Sequence, residues 1–343
     1  MNKIHGIVYA YDTEDEFEQV KDAGLFWIRI NIGFPWKDRM HGELSEKYLD
    51  GRERIRAAHA AGMKVMPATP PLGGWVYVPE KGETAWVDEF PAFVGEKGTE
   101  AYYENVREAM EFVANDLKPF AADLWQCMNE IDIPTFSNDY PLDVICNTAR
   151  ASAEGILRAS PQALCGINLS SYRPDAVVYA DLVHRKPSPM RYIGIDQYFG
   201  SWQTGDIHSW PPVIDALFER YEVPVLINEW GYSSSGRVIT EEDKKPEHLK
   251  PEGWPDVCHN LAWFHEVDGG HTEETQAQYI RDGLTIFMQH PHVLGQFIFC
   301  WKDAKHCYHC GQEKCPAECF WGITRNDRSF KPAYHVVKEL LTQ

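Results

Sequence analysis

The sequence predicts one (β/α)8 barrel that spans residues 1–343. Eight short apolar runs, each with the length and composition of a buried parallel strand, recur along the chain with helix-like segments between them. No glycine-rich phosphate-binding loop follows any of these runs, which argues against a doubly wound nucleotide-binding sheet. Because the chain also has no internal repeat or low-complexity linker, a single barrel with long loops accounts for its length.

The predicted strands, in chain order, cover residues 4–10, 26–32, 64–68, 122–128, 163–169, 192–197, 223–228 and 293–300. The segments between them carry helix signals. Thr13 and Glu16 form a predicted capping box at the start of the first helix. Val106 and Met110 repeat at helical spacing before the fourth strand, and Pro291 ends the helix before the eighth. Long loops follow the third and seventh strands, and we expect both to cover the catalytic face.

The composition excludes some classes of partner. The chain has 51 acidic and 33 basic residues, a net charge of −18, which disfavours nucleic acid and anionic membrane surfaces and fits a neutral substrate. No apolar run approaches the ~18 residues that a membrane-spanning helix needs. The first residues lead directly into a predicted strand without the apolar core of a secretory signal, so we expect a cytoplasmic protein.

Two glutamates end two of the predicted strands. Glu130 closes the run that begins at Leu124, and Glu229 closes the run that begins at Val223. Parallel α/β folds build their active sites at the carboxyl ends of strands, and strands four and seven of a closed barrel face each other. Two carboxylates placed there can supply the acid/base and the nucleophile that cleave a glycosidic bond with retention of configuration. The spacing alone does not tell which glutamate attacks.

These positions resemble the retaining glycoside hydrolases of clan A, which are (β/α)8 barrels with Asn-Glu at the end of the fourth strand and a second Glu at the end of the seventh. Asn129-Glu130 and Glu229 occupy those places, and the resemblance covers the whole chain strand by strand. It implies that Glu130 is the general acid/base, that Glu229 is the nucleophile, and that Asn129 hydrogen-bonds the sugar 2-hydroxyl. It also implies that catalysis needs no cofactor.

Three further positions match the clan. Arg29 resembles the second-strand arginine that holds the nucleophile ionised through a charge-assisted hydrogen bond. Tyr198 resembles the sixth-strand tyrosine that orients the nucleophile, and Trp301 resembles the eighth-strand tryptophan that floors the subsite of the cleaved sugar. The alternative for each is a role in barrel packing or in an ion pair at the rim.

Other positions depart from the cellulases and mannanases of the clan. Ile131 follows Asn-Glu where many of them have Pro, and Asp196 stands where many have His. We therefore do not assign the chain to that family, and we expect Asp196 either to bind a sugar hydroxyl or to form a salt bridge with a neighbour. Trp75 and Trp202, in the loops after the third and sixth strands, are candidate sugar-binding residues; the alternative is packing against the barrel rim.

The chain has nine cysteines, and four of them lie in a cysteine-rich loop at 302–320 after the eighth strand. Their spacing opens with Cys-x-x-Cys and predicts a closed tetrahedral zinc site with a structural role. The predicted ligands are Cys307, Cys310, Cys315 and Cys319. Reserve ligands are His306, His309, Cys258 and His259. A reducing cytoplasm favours zinc over disulfides, and an iron–sulfur cluster or free thiols also stay open as interpretations of this loop.

The sequence therefore predicts a retaining β-glycosidase that cleaves β-linked oligo- or polysaccharides by double displacement. Two different classes of protein remain open. A carbohydrate-binding barrel without catalysis would bind oligosaccharides without turnover. A zinc-dependent (β/α)8 hydrolase or lyase would lose turnover to a chelator while staying folded.

Overall fold

The computed structural model describes residues 3–9, 14–78, 82–121, 123–250, 253 and 255–342. Within these ranges, eight parallel strands form a closed barrel in which each strand pairs with the next along the chain and the last pairs with the first. We number the barrel strands β1 Ile4–Val8, β2 Trp27–Asn31, β3 Lys64–Ala68, β4 Leu124–Gln126, β5 Leu164–Leu169, β6 Tyr192–Asp196, β7 Val225–Trp230 and β8 Val293–Ile298. The predicted (β/α)8 class is confirmed.

A long helix follows every barrel strand. These helices are α1 Glu14–Asp22, α2 Glu46–Ala60, α3 Glu100–Leu117, α4 Leu142–Ala159, α5 Pro174–Val183, α6 Trp210–Tyr221, α7 Glu273–Gln289 and α8 Pro332–Leu341. Ser45, Thr99 and Thr272 cap α2, α3 and α7, since each side chain accepts a hydrogen bond from a backbone N–H of the first turn. The capping box predicted for α1 depends on Thr13, which lies outside the described residues.

The longer connections carry small elements of their own. After β3, Gly73–Val78 and Glu83–Asp88 pair as an antiparallel hairpin, and after β7, Arg237–Val238 pairs in parallel with Ala262–Trp263. Short helices in the connections are Ala92–Val94, Pro134–Ser137, Ile207–Ser209, Pro246–His248, Val257–Asn260 and Pro316–Cys319. In the described part of the chain, no helix is long and apolar enough to cross a membrane.

The strand ends decide where the two glutamates lie. β7 runs two residues beyond its predicted end, so Glu229 lies within the strand and is 7% exposed. β4 is shorter than predicted and ends at Gln126, so the chain leaves the barrel wall before it reaches Glu130. The predicted start of this strand, Ala122, lies outside the described residues. Val106 and Met110 of α3 are buried, as their helical spacing predicts.

Candidate active site

A cavity of 1590 Å³ opens at the carboxyl ends of the barrel strands. Its lining includes Asn31 at the end of β2, Ala68 at the end of β3, Ser170 just after β5 and Phe299 just after β8. Both candidate catalytic glutamates line it as well. Among (β/α)8 enzymes, this is the end of the barrel where active sites are built.

Glu229 is held by two donors from other strands. Arg29 of β2 donates from Nη2 to Oε1 of Glu229 and forms a buried ion pair with it. Tyr198, two residues beyond β6, donates its hydroxyl to Oε2 of Glu229 at 2.5 Å. Charge-assisted hydrogen bonds to both oxygens fix the orientation of a carboxylate and favour its ionised form. The structure therefore brings Arg29 and Tyr198 together at Glu229.

The charge of Arg29 is balanced by more than one carboxylate. Burial opposes the charged guanidinium, but the neighbouring carboxylates of Glu229 and Asp196 outweigh this effect and raise the pKa of Arg29. Nη1 of Arg29 also donates to Gln126 Oε1 at 3.3 Å. A buried arginine with these partners stays protonated, so it gives the site one fixed positive charge beneath Glu229.

Glu130 has the opposite environment. Burial, followed by the charges of Glu229 and Asp132, raises the pKa of the Glu130 carboxyl well above its ordinary value, and Arg29 only partly opposes this. The two carboxyls in this cavity thus have different surroundings, because Glu229 has a positively charged partner and Glu130 is desolvated. This is the electrostatic pattern of an acid and a nucleophile that work as a pair.

The backbone that presents Glu130 is strained. Met128 has φ of 67° and Glu130 has φ of 37°, the left-handed region that non-glycine residues rarely occupy. Asn168 of β5 stabilises this turn, since its Oδ1 accepts the backbone N–H of Glu130 at 3.1 Å. Such conformations cost about 1–3 kcal/mol each and persist where the surroundings fix them, most often at functional sites.

A buried amide network joins the strands under the cavity. Gln126 Nε2 donates to Asn129 Oδ1 at 2.9 Å, and Asn168 Nδ2 donates to the same oxygen at 3.1 Å. Asn228 Nδ2 donates to Gln126 Oε1 at 2.6 Å. The sequence reasoning missed Gln126, Asn168 and Asn228. The sequence does contain a signal for them, since each is an amide side chain within a predicted buried strand. A fully buried amide needs a specific hydrogen-bond partner.

Asp196 belongs to this network and not to the cavity wall. It is 0% exposed, and Asn168 Nδ2 donates to its Oδ2 at 2.5 Å. Burial and the charges of Glu229 and Glu130 raise its pKa well above the ordinary value. Of the two roles predicted for Asp196, a direct contact with a sugar hydroxyl does not fit its burial outside the cavity lining. Asp196 instead accepts a hydrogen bond from Asn168 and supports that residue within the network.

The aromatic predictions have mixed outcomes. Trp202 lines the cavity and packs edge-to-face against Trp263 at 4.9 Å between ring centroids. Trp75 lies outside the cavity lining; it is 39% exposed on the hairpin after β3 and contacts Trp86. Within that hairpin its neighbours Gly74 and Val76 face the cavity, since side chains alternate along a strand.

Trp301 also lies outside the cavity lining, although the sequence predicts it in the sugar subsite. It is 1% exposed, its backbone N–H donates to the Val8 carbonyl, and its ring packs against Tyr334 in the core. The predicted floor of the sugar subsite is therefore not formed by Trp301. Phe299 and Trp321 line the cavity instead, and both rings contact that of Tyr198. Neither was singled out from the sequence.

A carboxylate from the cysteine-rich loop also lies at the cavity wall. Glu318 lines the cavity, and its Oε1 lies 3.1 Å from Nε2 of His309, which lines the cavity too. The charge of Glu318 contributes to the raised pKa of Glu130. Both residues of this pair come from the cysteine-rich loop after β8, so that loop helps to set the electrostatics of the site.

The cysteines group differently from the prediction. The sulfur atoms of Cys258, Cys307, Cys310 and Cys315 all lie within 4.8 Å of one another. Cys258, from the loop after β7, therefore takes the fourth place that we predicted for Cys319. Cys319 is outside the group, and its Sγ faces the Gln312 carbonyl oxygen at 3.9 Å. Consecutive spacing in the chain pointed to Cys319, whereas the fold brings a second loop to the same place.

Comparison with solved structures shows which proteins share this barrel. The chain superimposes over 99% of its length on the catalytic domain GH53 of Ignisphaera aggregans, with 16% identity, a TM-score of 0.62 and coverage of 96% of that chain. A family 39 glycoside hydrolase of Bacteroides cellulosilyticus gives 14% identity and a TM-score of 0.62, with 99% of this chain and 64% of that chain covered.

A β-glucuronidase of Bacteroides uniformis gives 16% identity and a TM-score of 0.60; 99% of this chain matches 35% of that protein. The chain thus spans about a third of the β-glucuronidase chain. No protein-family model and no curated sequence matches. These likenesses establish a barrel fold shared with glycoside hydrolases of several families, and the predicted resemblance to clan A fits them.

Proposed function

We propose that the protein is a retaining glycoside hydrolase that cleaves β-linked oligo- or polysaccharides. The observation that carries this proposal is the pair of carboxyls in one cavity, with Glu229 bound by Arg29 and Tyr198 and with the pKa of Glu130 raised. The names of the solved neighbours, a β-glucuronidase and glycoside hydrolases, support hydrolysis of glycosidic bonds as the reaction class.

In the proposed first step, Glu229 attacks the anomeric carbon and the bond to the leaving oxygen breaks. Arg29 and Tyr198 hold the two carboxylate oxygens, so the attacking group needs no reorientation. Glu130 gives its proton to the leaving oxygen. Its raised pKa keeps that proton on the carboxyl to a higher pH than in an ordinary glutamate.

In the second step, water hydrolyses the glycosyl-enzyme ester. Once Glu229 is esterified, its negative charge is gone and one of the causes that raise the pKa of Glu130 disappears. The pKa of Glu130 then falls, so the same group can accept a proton from the attacking water. Glu130 thus gives one proton and recovers one, Glu229 is released as a carboxylate, and no cofactor is needed.

Substrate binding follows from the lining. Oδ1 of Asn129 is occupied by Gln126 and Asn168, which leaves its amide N–H groups to donate to the 2-hydroxyl of the sugar. Trp202 and Phe299 supply apolar faces for sugar rings. The volume of 1590 Å³ exceeds the ~1,000 Å³ upper range of sites for single small ligands, which favours a substrate of several sugar units.

The test is hydrolysis of a panel of aryl β-glycosides and β-linked oligosaccharides by the wild type and by Glu229→Ala, with and without azide. We expect the wild type to cleave at least one substrate and Glu229→Ala to be inactive. Azide should restore turnover of the activated glycoside and yield an α-glycosyl azide, because it replaces the missing nucleophile. Glu89→Ala is the matched control, since Glu89 is another carboxylate of the same cavity that pairs with Lys47.

Three results would overturn the proposal. If Glu229→Ala kept wild-type turnover, Glu229 could not be the nucleophile. Binding of oligosaccharides without turnover of any of them would identify a non-catalytic barrel. Loss of all turnover on chelation, with the circular dichroism spectrum unchanged, would identify a metal-dependent hydrolase.

A further inference from the structure

We propose that Cys258, Cys307, Cys310 and Cys315 bind one structural Zn²⁺ ion that joins the loops after β7 and β8. All four sulfur atoms lie within 4.8 Å of one another, and those of Cys258 and Cys307 are 3.9 Å apart. A tetrahedron with zinc–sulfur bonds of about 2.3 Å has sulfur–sulfur edges of about 3.8 Å. The group therefore has the size of a four-thiolate zinc site.

The surroundings are those of a thiolate site. Cys258, Cys307 and Cys315 are buried, and Cys310 is half-buried. The backbone N–H groups of His309 and Cys310 face the Cys307 sulfur, and that of Ala317 faces the Cys315 sulfur. Such donors in the second layer of a metal site orient the sulfur ligands and offset their negative charge. All nine cysteines are free, so no disulfide competes for these four.

The chemistry of binding is simple. Each of the four thiols loses a proton, each sulfur donates an electron pair to the ion, and no oxidation or reduction takes place. Because four thiolates fill the tetrahedral coordination, no position is left for water or substrate. The ion is therefore structural, and its binding releases protons to the buffer.

The loops provide the reason for such an ion. Cys258 lies in the four-residue helix Val257–Asn260, and Cys315 is the N-cap of the four-residue helix Pro316–Cys319. Helices this short do not form on their own in water. A metal that ties both of them to the turn at Cys307 and Cys310 can supply the missing stability.

The site also explains how the cavity wall keeps its shape. Cys258, His309 and Glu318 line the cavity next to the two catalytic candidates, so the proposed ion lies directly behind that wall. His309 and Glu318 pair with each other and lie one residue before Cys310 and three after Cys315. Zinc would act here as a positioning element for this pair and not as a catalyst.

The test compares two single variants by metal analysis. We expect the full-length wild type, purified without chelator, to contain about one equivalent of zinc. Cys258→Ser should lose most of it, because a serine hydroxyl is a poor zinc ligand at neutral pH. Cys319→Ser is the matched control and should keep about one equivalent. Both side chains are nearly inaccessible, at 8% and 3% exposure, so burial does not separate them.

A second measurement does not depend on the folding of a variant. Wild-type protein reconstituted with Co²⁺ should have the intense visible and near-ultraviolet absorption of tetrahedral cobalt with thiolate ligands. Less than half an equivalent of zinc after equilibration with zinc, together with four freely titrating thiols, would overturn the proposal. So would stoichiometric iron, or zinc retained by Cys258→Ser and lost by Cys319→Ser. Metal content is read without any substrate, so this outcome is independent of the proposed glycosidase activity.

Discussion

Replacing Arg29 with methionine tests the electrostatic arrangement around Glu229. The guanidinium is 2% exposed, pairs with Glu229 and donates to Gln126. Asp196 lies close enough for its charge to raise the pKa of Arg29, so the arginine faces more than one acidic group. Methionine has a similar length and adapts its shape to the space left behind, so the substitution mainly removes the charge and the donors.

The expected magnitude follows from the burial of the pair. Removing one partner of a buried ion pair leaves the other charge uncompensated and costs about 3–5 kcal/mol. We therefore expect Arg29→Met to lower the free energy of unfolding by about 3–5 kcal/mol at pH 7.

The assay is urea unfolding at pH 7, followed by tryptophan fluorescence. Arg54→Met is the matched control, because Arg54 lines the same cavity but its side chain is 40% exposed and pairs with exposed Asp50. That variant should lose no more than about 1 kcal/mol. The double variant Arg29→Met/Glu229→Gln should be more stable than the sum of the single losses predicts, by about 0.5–3 kcal/mol.

Two results would refute this reasoning. If the losses from Arg29→Met and Glu229→Gln simply add, the two side chains do not interact in the native state. If Arg54→Met loses as much stability as Arg29→Met, burial of the Arg29–Glu229 ion pair is not the cause of the loss.

Two further predictions concern Glu130 and the aromatic wall. The pKa of Glu130 in the folded protein is raised above 4.5, so the folded state binds this proton more tightly than the unfolded chain does. This tighter binding stabilises the folded state at low pH, and the stabilisation is lost as the pH rises from 4.5 through the raised pKa. Glu130→Gln should therefore gain thermal stability over the wild type as pH rises in this window; an equal difference in melting temperature at pH 5 and pH 8 would contradict this. Phe299→Ala should raise KM for the substrate that the glycoside panel identifies, because Phe299 lines the cavity. Trp301→Ala should instead lower the free energy of unfolding by about 3–5 kcal/mol, because Trp301 is buried, and should leave KM of the folded enzyme unchanged. Steady-state kinetics and urea titration of both variants check this, and the opposite pattern would restore the predicted role of Trp301.

The fold could be predicted from the sequence because buried parallel strands leave a local signal. Each barrel strand is mainly apolar, and the sequence predicts the eight strands in their correct order. The ends of the strands were predicted less accurately. β4 stops at Gln126, and the turn that follows has positive φ at Met128 and Glu130, which no local preference of these residues favours. Asn168, on the next strand, fixes this turn from a distance along the chain.

Within the site, three of the predicted residues that line the cavity are positioned by the barrel strands. Arg29 and Glu229 lie on β2 and β7, and Tyr198 lies two residues beyond β6, where the strand still determines the position of the side chain. Trp301 lies three residues beyond the end of β8. The alternation of a strand no longer applies there, and Phe299 takes the place at the cavity.

The choice of Cys319 as the fourth cysteine differs from the structure for another reason, and the order of the strands in the barrel could have corrected it. Spacing along the chain favoured Cys319 because it lies in the same loop as Cys307. β7 and β8 are paired neighbours in the barrel, so the loops that leave their carboxyl ends emerge side by side. Cys258 in the first loop is therefore as eligible to join the group as any cysteine in the second. In a closed parallel barrel, candidate ligands are better counted around the rim, loop by neighbouring loop, than along one segment of chain.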